Sequence, residues 1–474
     1  MLMRNFVGRI LIALFAAVTL AGMFPGVVSA QVPANVRVGL ITANSASQYL
    51  NASAVTVSVK GSYQVLDLAA IPGENVIGTP AEGESWQVYY LPSGLQVYKN
   101  GEPLKITSGP VVVRETSHDS DNYVSLDSYM TGGASTSIGK KYRANMEFRS
   151  NGSSVSAINE LPMDEYLYGV VPREMSNGWP LDALKAQALA ARTYTTANYN
   201  KRAVEGFNML DTPTDQAYGG MNSEGDNATR AVQETSGKII LFNGQPISAV
   251  YHSTSGGYTE DNENVWSGTP SAYLRGKPDP YSTKHGLANW AFTSTIDNIR
   301  NELTTSSSIS NISLEKYSSG RVKTVIITDV SGNTITKSGS EFGKLFNPKF
   351  YTEVSNTSFM SNFFDVKMDQ VATPEFTVLN GAGQKASVPG TNLYAVSDDG
   401  SVNVLNENSA DFYAIGSGGT SSFSKAATGT VVFEGHGWGH GVGMSQWGAY
   451  EMAAQGKSYE EIINFYYTGV ELGN

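Results

Sequence analysis

Between residues 435 and 449 the chain reads GHGWGHGVGMSQWGA. Six glycines, two histidines, a serine and a glutamine fall in one short stretch. Glycine weakens helices and strands and is used where backbone must take a positive φ or approach another group closely. The stretch therefore reads as a loop, and the rest of the fold has to bring flanking elements together around it. Histidine can donate, accept or ligate. A polar loop with a glycine floor, flanked by Phe433, Trp438 and Trp447, has the makings of a binding or catalytic wall.

The 474 residues are 41% hydrophobic, enough for one large core or two moderate ones. Charged residues are only 16%, while glycine (49) and tyrosine (25) are abundant, as in exported β-rich proteins. The formal net charge of -11 argues against binding a phosphate backbone, where Lys and Arg carry the affinity. No nucleic-acid partner is expected, and a sugar polymer is compatible. With no cysteine, disulfides and thiolate zinc sites are excluded. Arg4 and Arg9 precede an apolar run from Ile10 to Phe24, then Pro25-Gly26 and the small residues Val28-Ser29-Ala30. This is the layout of a secretory signal peptide cleaved after Ala30, and the run is shorter than the roughly 20 residues of a spanning helix. The mature protein is expected to be secreted to the wall or extracytoplasmic space, without a transmembrane anchor.

The pattern predicts an α+β protein: a β-rich N-terminal region (31–157), a core of mixed helix and antiparallel sheet in two segments (158–290 and 432–474), and a largely β insertion (291–431). Alternating or β-branched runs at Val36–Ile41 and Ala54–Val59 read as strands. Tyr142–Phe148 closes the N-terminal region. Pro162 and the acids that follow it start a helix over 161–168. A stronger, alanine-rich helix runs from Leu181 to about Lys201, with Leu184, Ala188 and Ala191 on one face. Val170–Trp179 is read as the connection between them. Asn243-Gly244 predicts a hairpin joining strands at Lys238–Phe242 and Ile247–His252. Further strands are expected at Val322–Asp329 and Thr430–Glu434, and helices at Met444–Gln455 and Tyr459–Tyr467.

Glu174, in PRE(172–174), is the leading candidate for chemistry. With Met175 and Trp179 nearby, a desolvated carboxyl there would have the raised pKa a general acid needs. A helix-capping or surface glutamate paired with Arg173 is the competing reading. Asp164 and Glu165 are adjacent acids that point in different directions on a helix and suit its N-terminus. The polar loop Asp211–Gly220 is either a self-bonded turn or a groove lining in which Gln216 and Tyr218 meet a sugar. HSTSGG (252–257) brings His252, Ser255 and Gly256 to a strand end. No G-x-S-x-G elbow is present, since GMSQW (443–447) fails at its last glycine. His436 and His440 are four apart, but the glycines between them exclude a helical metal pair; convergence of His252, His436 and His440 on zinc would need a tertiary coincidence.

Five stretches in this order resemble the SpoIID/LytB family of stage II sporulation protein D-like lytic transglycosylases and amidase enhancers. They are LPMDEYLYGVVPREMSNGWPLDALKAQALAARTY (161–194), DTPTDQAYGG (211–220), AVYHSTSGGYT (249–259), VWSGTPSAYLRGKPDPYS (265–282) and FEGHGWGHGVGMSQWGAYEMAAQGKSYEEIINFYYTGVEL (433–472). The resemblance implies cleavage of the N-acetylmuramic acid–N-acetylglucosamine bond in peptidoglycan strands stripped of stem peptides, with a 1,6-anhydro product. Glu174 would be the acid/base, and Gln216, Tyr218, His252, Ser255, Gly256, His436, His440, Ser445 and Gln446 would contact substrate. The alternative that the resemblance implies is a noncatalytic glycan binder that enhances a cell-wall amidase, its partner. Some family members hold zinc through a histidine and cysteines near HxxSGG; without cysteine that site does not transfer, and no cofactor is expected.

Overall fold

The computed structural model describes residues 31–42, 49–50, 52–73, 75–284, 288–347, 359–368 and 429–474, and strands at 375–379, 385–389, 393–396, 402–405, 411–416 and 419–424. The signal-peptide segment, residues 1–30, lies outside the described residues.

Two largely antiparallel sheets form the N-terminal region. One runs in the order Met209–Leu210, Asn35–Thr42, Val155–Pro162, Asn145–Ser150, Val111–Glu115, Tyr63–Asp67, Val76–Gly78. The other runs Ala134–Tyr142, Tyr123–Thr131, Ala54–Lys60, Trp86–Leu91, Gly94–Lys99, Glu102–Thr107. In Ala54–Lys60 the valines at 55, 57 and 59 are buried and the polar residues between them are not, the period of two that a half-buried strand requires. Valines 57, 88 and 97 of this sheet share one hydrophobic cluster with Val113, Met146 and Phe148 of the first, and with the helices that follow. The expected close of the N-terminal region at 142–148 is interrupted: one strand ends at Tyr142, Ala144 takes a positive φ of 54°, and the next begins at Asn145.

Helix α1 (Met163–Glu174) buries Met163, Tyr166, Leu167, Val170 and Val171, the i, i+3, i+4 stripe of a helix with one face on the core. It is longer than the sequence suggested. Pro172 lies inside its last turn, and the Met175 N–H closes the end on the Val171 carbonyl. Glu174 is thus the final helical residue rather than part of a connection. Helix α2 (Leu181–Ala197) is buried almost all round, which its alanine and leucine content permits. Helix α3 (Asp226–Glu234) packs on both. Asn243 and Gly244, with φ of 51° and 72°, make the expected turn. The hairpin is shorter than expected, pairing Ile239–Phe242 with Gln245–Pro246. Tyr251–His252 pairs instead with Met444–Ser445, in parallel.

After the short helix α4 (Glu263–Trp266), the chain leaves this core through Asn289–Thr295 and returns through Thr430–His436, two strands paired along their full length. Between them, helices α5 (Ile296–Glu302) and α6 (Gly339–Phe346) and the sheet Ile309–Lys316, Val322–Asp329, Thr334–Ser338 gather around a second cluster that includes Trp290, Phe342, Phe359, Phe364 and Phe433. Helices α7 (Gln446–Ala454) and α8 (Tyr459–Tyr466) then rejoin the first core against α2. Among the described residues no helix is long and apolar enough to cross a membrane.

Candidate functional site

A cleft of about 990 Å³ opens between the two cores, lined by residues of α1, α2, the 211–220 loop, the 248–274 segment, α6 and the 438–447 loop. Glu174 projects into it from the C-terminus of α1. Its Oε1 accepts from the Ala217 N–H at 2.9 Å, and its Oε2 accepts from Gln446 Nε2 at 3.2 Å across 272 residues of sequence. Desolvation raises its pKa above the ordinary 4.5, opposed by the bonds from Ala217, Gln446 and Tyr251. The residue as a whole is half-buried, because one edge faces the cleft while its carboxyl is enclosed by these donors.

The donors are held in turn. Gln446 opens α7, which Ser445 caps by accepting from the Gly448 N–H. Tyr251 receives a hydrogen bond from Gln216 Nε2, and Gln216 Oε1 accepts from Thr195 Oγ1 and Tyr166 Oη. Asp215 is the other carboxylate lining the cleft, and it is committed: Lys201 and Arg202 each bond one of its oxygens at 2.5 Å. Those bonds outweigh desolvation and keep its pKa below the ordinary value.

Four expected contacts meet in this cleft: Glu174, His252, His440 and Gln446. The others do not line it. Gln216 is 1% exposed and lies behind the wall as the link between Tyr251 and α2. Tyr218 is buried under α1 against Gly169, with its hydroxyl on Asn159. Ser255 is fully buried and donates to Asp279. Gly256 packs against the backbone of 436–437, where a Cβ would come within 2.6 Å of the Gly437 nitrogen. His436 turns away to Asn289 and Phe363, and Ser445 is the buried cap just described. For these six the expectation of a direct substrate contact is corrected by burial or by direction. Asp164 and Glu165 also lie elsewhere, paired with Arg192 and His118.

The histidines do not fit zinc. His252 and His440 meet, ring centroids 5.4 Å apart, but His436 is not with them. His252 Nδ1 donates to the Val442 carbonyl, and His440 Nδ1 accepts from the Val442 N–H. Burial lowers the pKa of both, that of His440 to about 4, so both are neutral near pH 7. Among the described residues no group of three or more His, Asp or Glu side chains could hold a metal ion.

Sequence reasoning missed Tyr251, Trp266 and Lys344. Four of the six tryptophans (Trp179, Trp266, Trp438 and Trp447) line the cleft, and their clustering within the quoted motifs was the available signal. Trp179 and Trp447 lie 4.7 Å apart and Trp266 lies 4.8 Å from His440. Aromatic faces beside polar groups suit ligands that are apolar on one face and hydroxylated at the edge.

The glycine loop earns its composition here. Residues 437, 439, 441 and 443 all have positive φ. At Gly437 a Cβ would meet the Thr254 carbonyl at 2.6 Å, and at Gly441 it would meet the guanidinium of fully buried Arg321 at 2.4 Å. Arg321 reaches in from the second core to donate to the Ser255 and Tyr258 carbonyls. Gly441→Ala is expected to lower stability by about 1–3 kcal/mol. Gly237→Ala, where φ is also positive but no atom lies within 4 Å, should cost less. Thermal denaturation of the two variants checks this, and equal losses would discount the Arg321 contact.

A SpoIID profile, described as stage II sporulation protein, matches residues 151–242, which include Glu174 and the 211–220 loop. The chain is thus similar, through this segment and over most of its length, to proteins of the SpoIID/LytB family. It is 30% identical to the amidase enhancer of Bacillus subtilis (strain 168) over 79% of its own length and 48% of that protein's, so it spans just under half of that relative. It is 29% identical to the stage II sporulation protein D of the same organism, over 67% and 76% of the two lengths. To the stage II sporulation protein D of Bacillus amyloliquefaciens it is 28% identical, over 78% and 89%. The profile match covers α1, α2, α3 and Ile239–Phe242; the glycine loop and the second core lie beyond it.

Proposed function

We propose that this protein acts on the cell wall as a lytic transglycosylase. It would cleave N-acetylmuramic acid–N-acetylglucosamine bonds of denuded glycan strands and leave 1,6-anhydro ends. The observation that carries this reading is the isolation of one raised carboxyl group, Glu174, in a tryptophan-walled cleft whose other carboxylate, Asp215, is tied to two cations. Ordinary glycosidases need two working carboxylates, one of them to activate water or attack the sugar. An intramolecular route needs one. Glu174 donates its proton to the glycosidic oxygen as the bond to the anomeric carbon breaks. The resulting carboxylate takes the proton of the sugar's own 6-hydroxyl as that oxygen closes on the anomeric carbon. Proton and bond counts balance, and Glu174 ends protonated.

Desolvation keeps Glu174 protonated further toward neutral pH, while the Ala217, Gln446 and Tyr251 donors stabilise the carboxylate once the proton has left. The neutral histidines contribute hydrogen bonds without charge. Incubating purified protein with denuded strands and looking for anhydro ends by mass spectrometry tests the assignment; their absence from the wild-type digest rejects it.

The pH dependence has a definite sign. The acid form starts the reaction, so the rate falls as pH rises through the raised pKa of Glu174, and the falling limb lies above the ordinary 4.5. Tyr251→Phe removes a bond that favours the carboxylate. It should move that limb to higher pH and reduce kcat by about tenfold. A pH–rate profile in which the limb stays put or moves down contradicts the role given to Tyr251.

The match to an amidase enhancer across most of the chain supports a second reading: a glycan grip that stimulates a wall amidase without cutting sugar bonds. In that case stimulation of an added N-acetylmuramoyl-L-alanine amidase would survive Glu174→Gln, and no anhydro ends would form.

A further inference from the structure

The charges in the cleft do not follow those of the chain. The protein carries a formal -11, yet the charged side chains lining the cleft are Arg173, Glu174, Lys201, Asp215 and Lys344. Lys201 and Asp215 are bonded to each other, and Arg202 bonds the second Asp215 oxygen, so that trio carries no free negative charge. Glu174 is held toward its neutral form. Arg173 and Lys344 remain, both exposed. Among the described residues neither makes a hydrogen bond or a contact ion pair. Arg173 acts on Glu174, and Lys344 on Glu341, only through space, and Glu341 is already bound to the Ser338 cap of α6.

The two cations come from different walls. Arg173 precedes Glu174 on α1, and Lys344 lies on α6 of the second core. Two exposed cations with no contact partner among the described residues offer nothing specific to a neutral hexosamine chain. They suit a glycan bearing one carboxylate on alternate sugars. Muramic acid has such a group in its lactyl ether. It is a free carboxylate only where the stem peptide has been removed; with the peptide attached it is an uncharged amide.

We propose that Arg173 and Lys344 are specificity-determining residues that recognise the free lactyl carboxylate, so that the second core takes part in choosing the strand. This rests on the glycan reading of the cleft, but not on whether Glu174 cuts the strand. The two cations need not hold the same sugar. An arginine offers a planar fork to a carboxylate and a lysine a point charge, so each can serve a separate repeat of the polymer. Exposed pairs of this kind are individually modest and weaken with salt.

The test measures binding alone, with the full chain carrying Glu174→Gln. One arm uses denuded strands, and the other uses the same strands with the lactyl carboxylates converted to amides by carbodiimide and ammonia. The expected result is roughly five- to tenfold tighter binding to the carboxylate strands, shrinking as salt is raised. Adding Arg173→Gln and Lys344→Gln should erase that difference and leave affinity for the amidated strands unchanged. Equal affinity for the two strands, or a preference that survives the added substitutions, overturns the assignment while leaving the glycan reading in place. Binding to neither strand overturns both.

Discussion

Replacing Glu174 with glutamine is expected to lower production of anhydro-ended fragments by roughly 10²- to 10⁴-fold, the range for a lost general acid/base. Glutamine has the same shape, and its carbonyl can still accept from the Ala217 N–H. It has no proton to give to a leaving oxygen and cannot take one from the 6-hydroxyl. Affinity for denuded strands should stay within a few-fold, because the cleft walls are untouched. Aspartate at 174 would be ionisable but shorter by one methylene, too short to hold the Ala217 and Gln446 bonds together, and should also lose most activity. Mass spectrometry of digests beside a strand-binding measurement checks both parts. A glutamine variant that releases fragments at the wild-type rate would remove Glu174 from the chemistry.

The second large effect is on folding. Arg192 of α2 is completely buried. One guanidinium nitrogen bonds the Thr235 carbonyl at 2.8 Å; the other bonds Asp164 at 2.9 Å and the Val232 carbonyl at 3.2 Å. It therefore joins the first turn of α1 to the last carbonyls of α3, with α2 between them. Burial lowers its pKa and Asp164 offsets this. Arg192→Leu would keep the bulk but remove the charged donor, leaving the Thr235 and Val232 carbonyls with the Lys238 and Thr235 N–H groups and Asp164 with the Ser236 hydroxyl. Breaking a buried pair from one side costs about 3–5 kcal/mol, a large part of the stability of an ordinary domain. Arg192→Lys should recover only part, since one ammonium group cannot reach three acceptors in a fork. Urea denaturation followed by circular dichroism measures this, and a loss under about 1 kcal/mol for the leucine variant would mean that the carbonyls find other partners.

Elements whose evidence is local were legible from the residues. The strand at Val322–Asp329 has the expected bounds, the apolar spacing of α2 marked its buried faces, and the Asn-Gly pair marked its turn. Elements decided by distant partners were not. The strand at Tyr251–His252 pairs with Met444–Ser445, nearly two hundred residues on, and no spacing near 251 records that. The helix expected over 161–168 runs on to Glu174, past Pro172, because the Met175 N–H closes the last turn on the Val171 carbonyl. The same limit applied to side chains. Gln216, Tyr218 and Ser255 have the residue types of a sugar site, but those types serve equally well in a buried hydrogen-bond network, and only the fold decides between the two.

Asn289–Thr295 and Thr430–His436 have a consequence for the stretch between them. The chain departs from the cleft region and comes back on neighbouring strands, with Asn289 opposite His436 and Thr295 opposite Thr430. This ladder is a clasp. Trp438 follows it by two residues and exchanges backbone bonds with Thr254, so the start of the cleft-lining loop is fixed where the ladder ends. The second core thus presents Lys344 to the cleft and sends Arg321 beneath the glycine loop from a body joined to the first core along these paired strands.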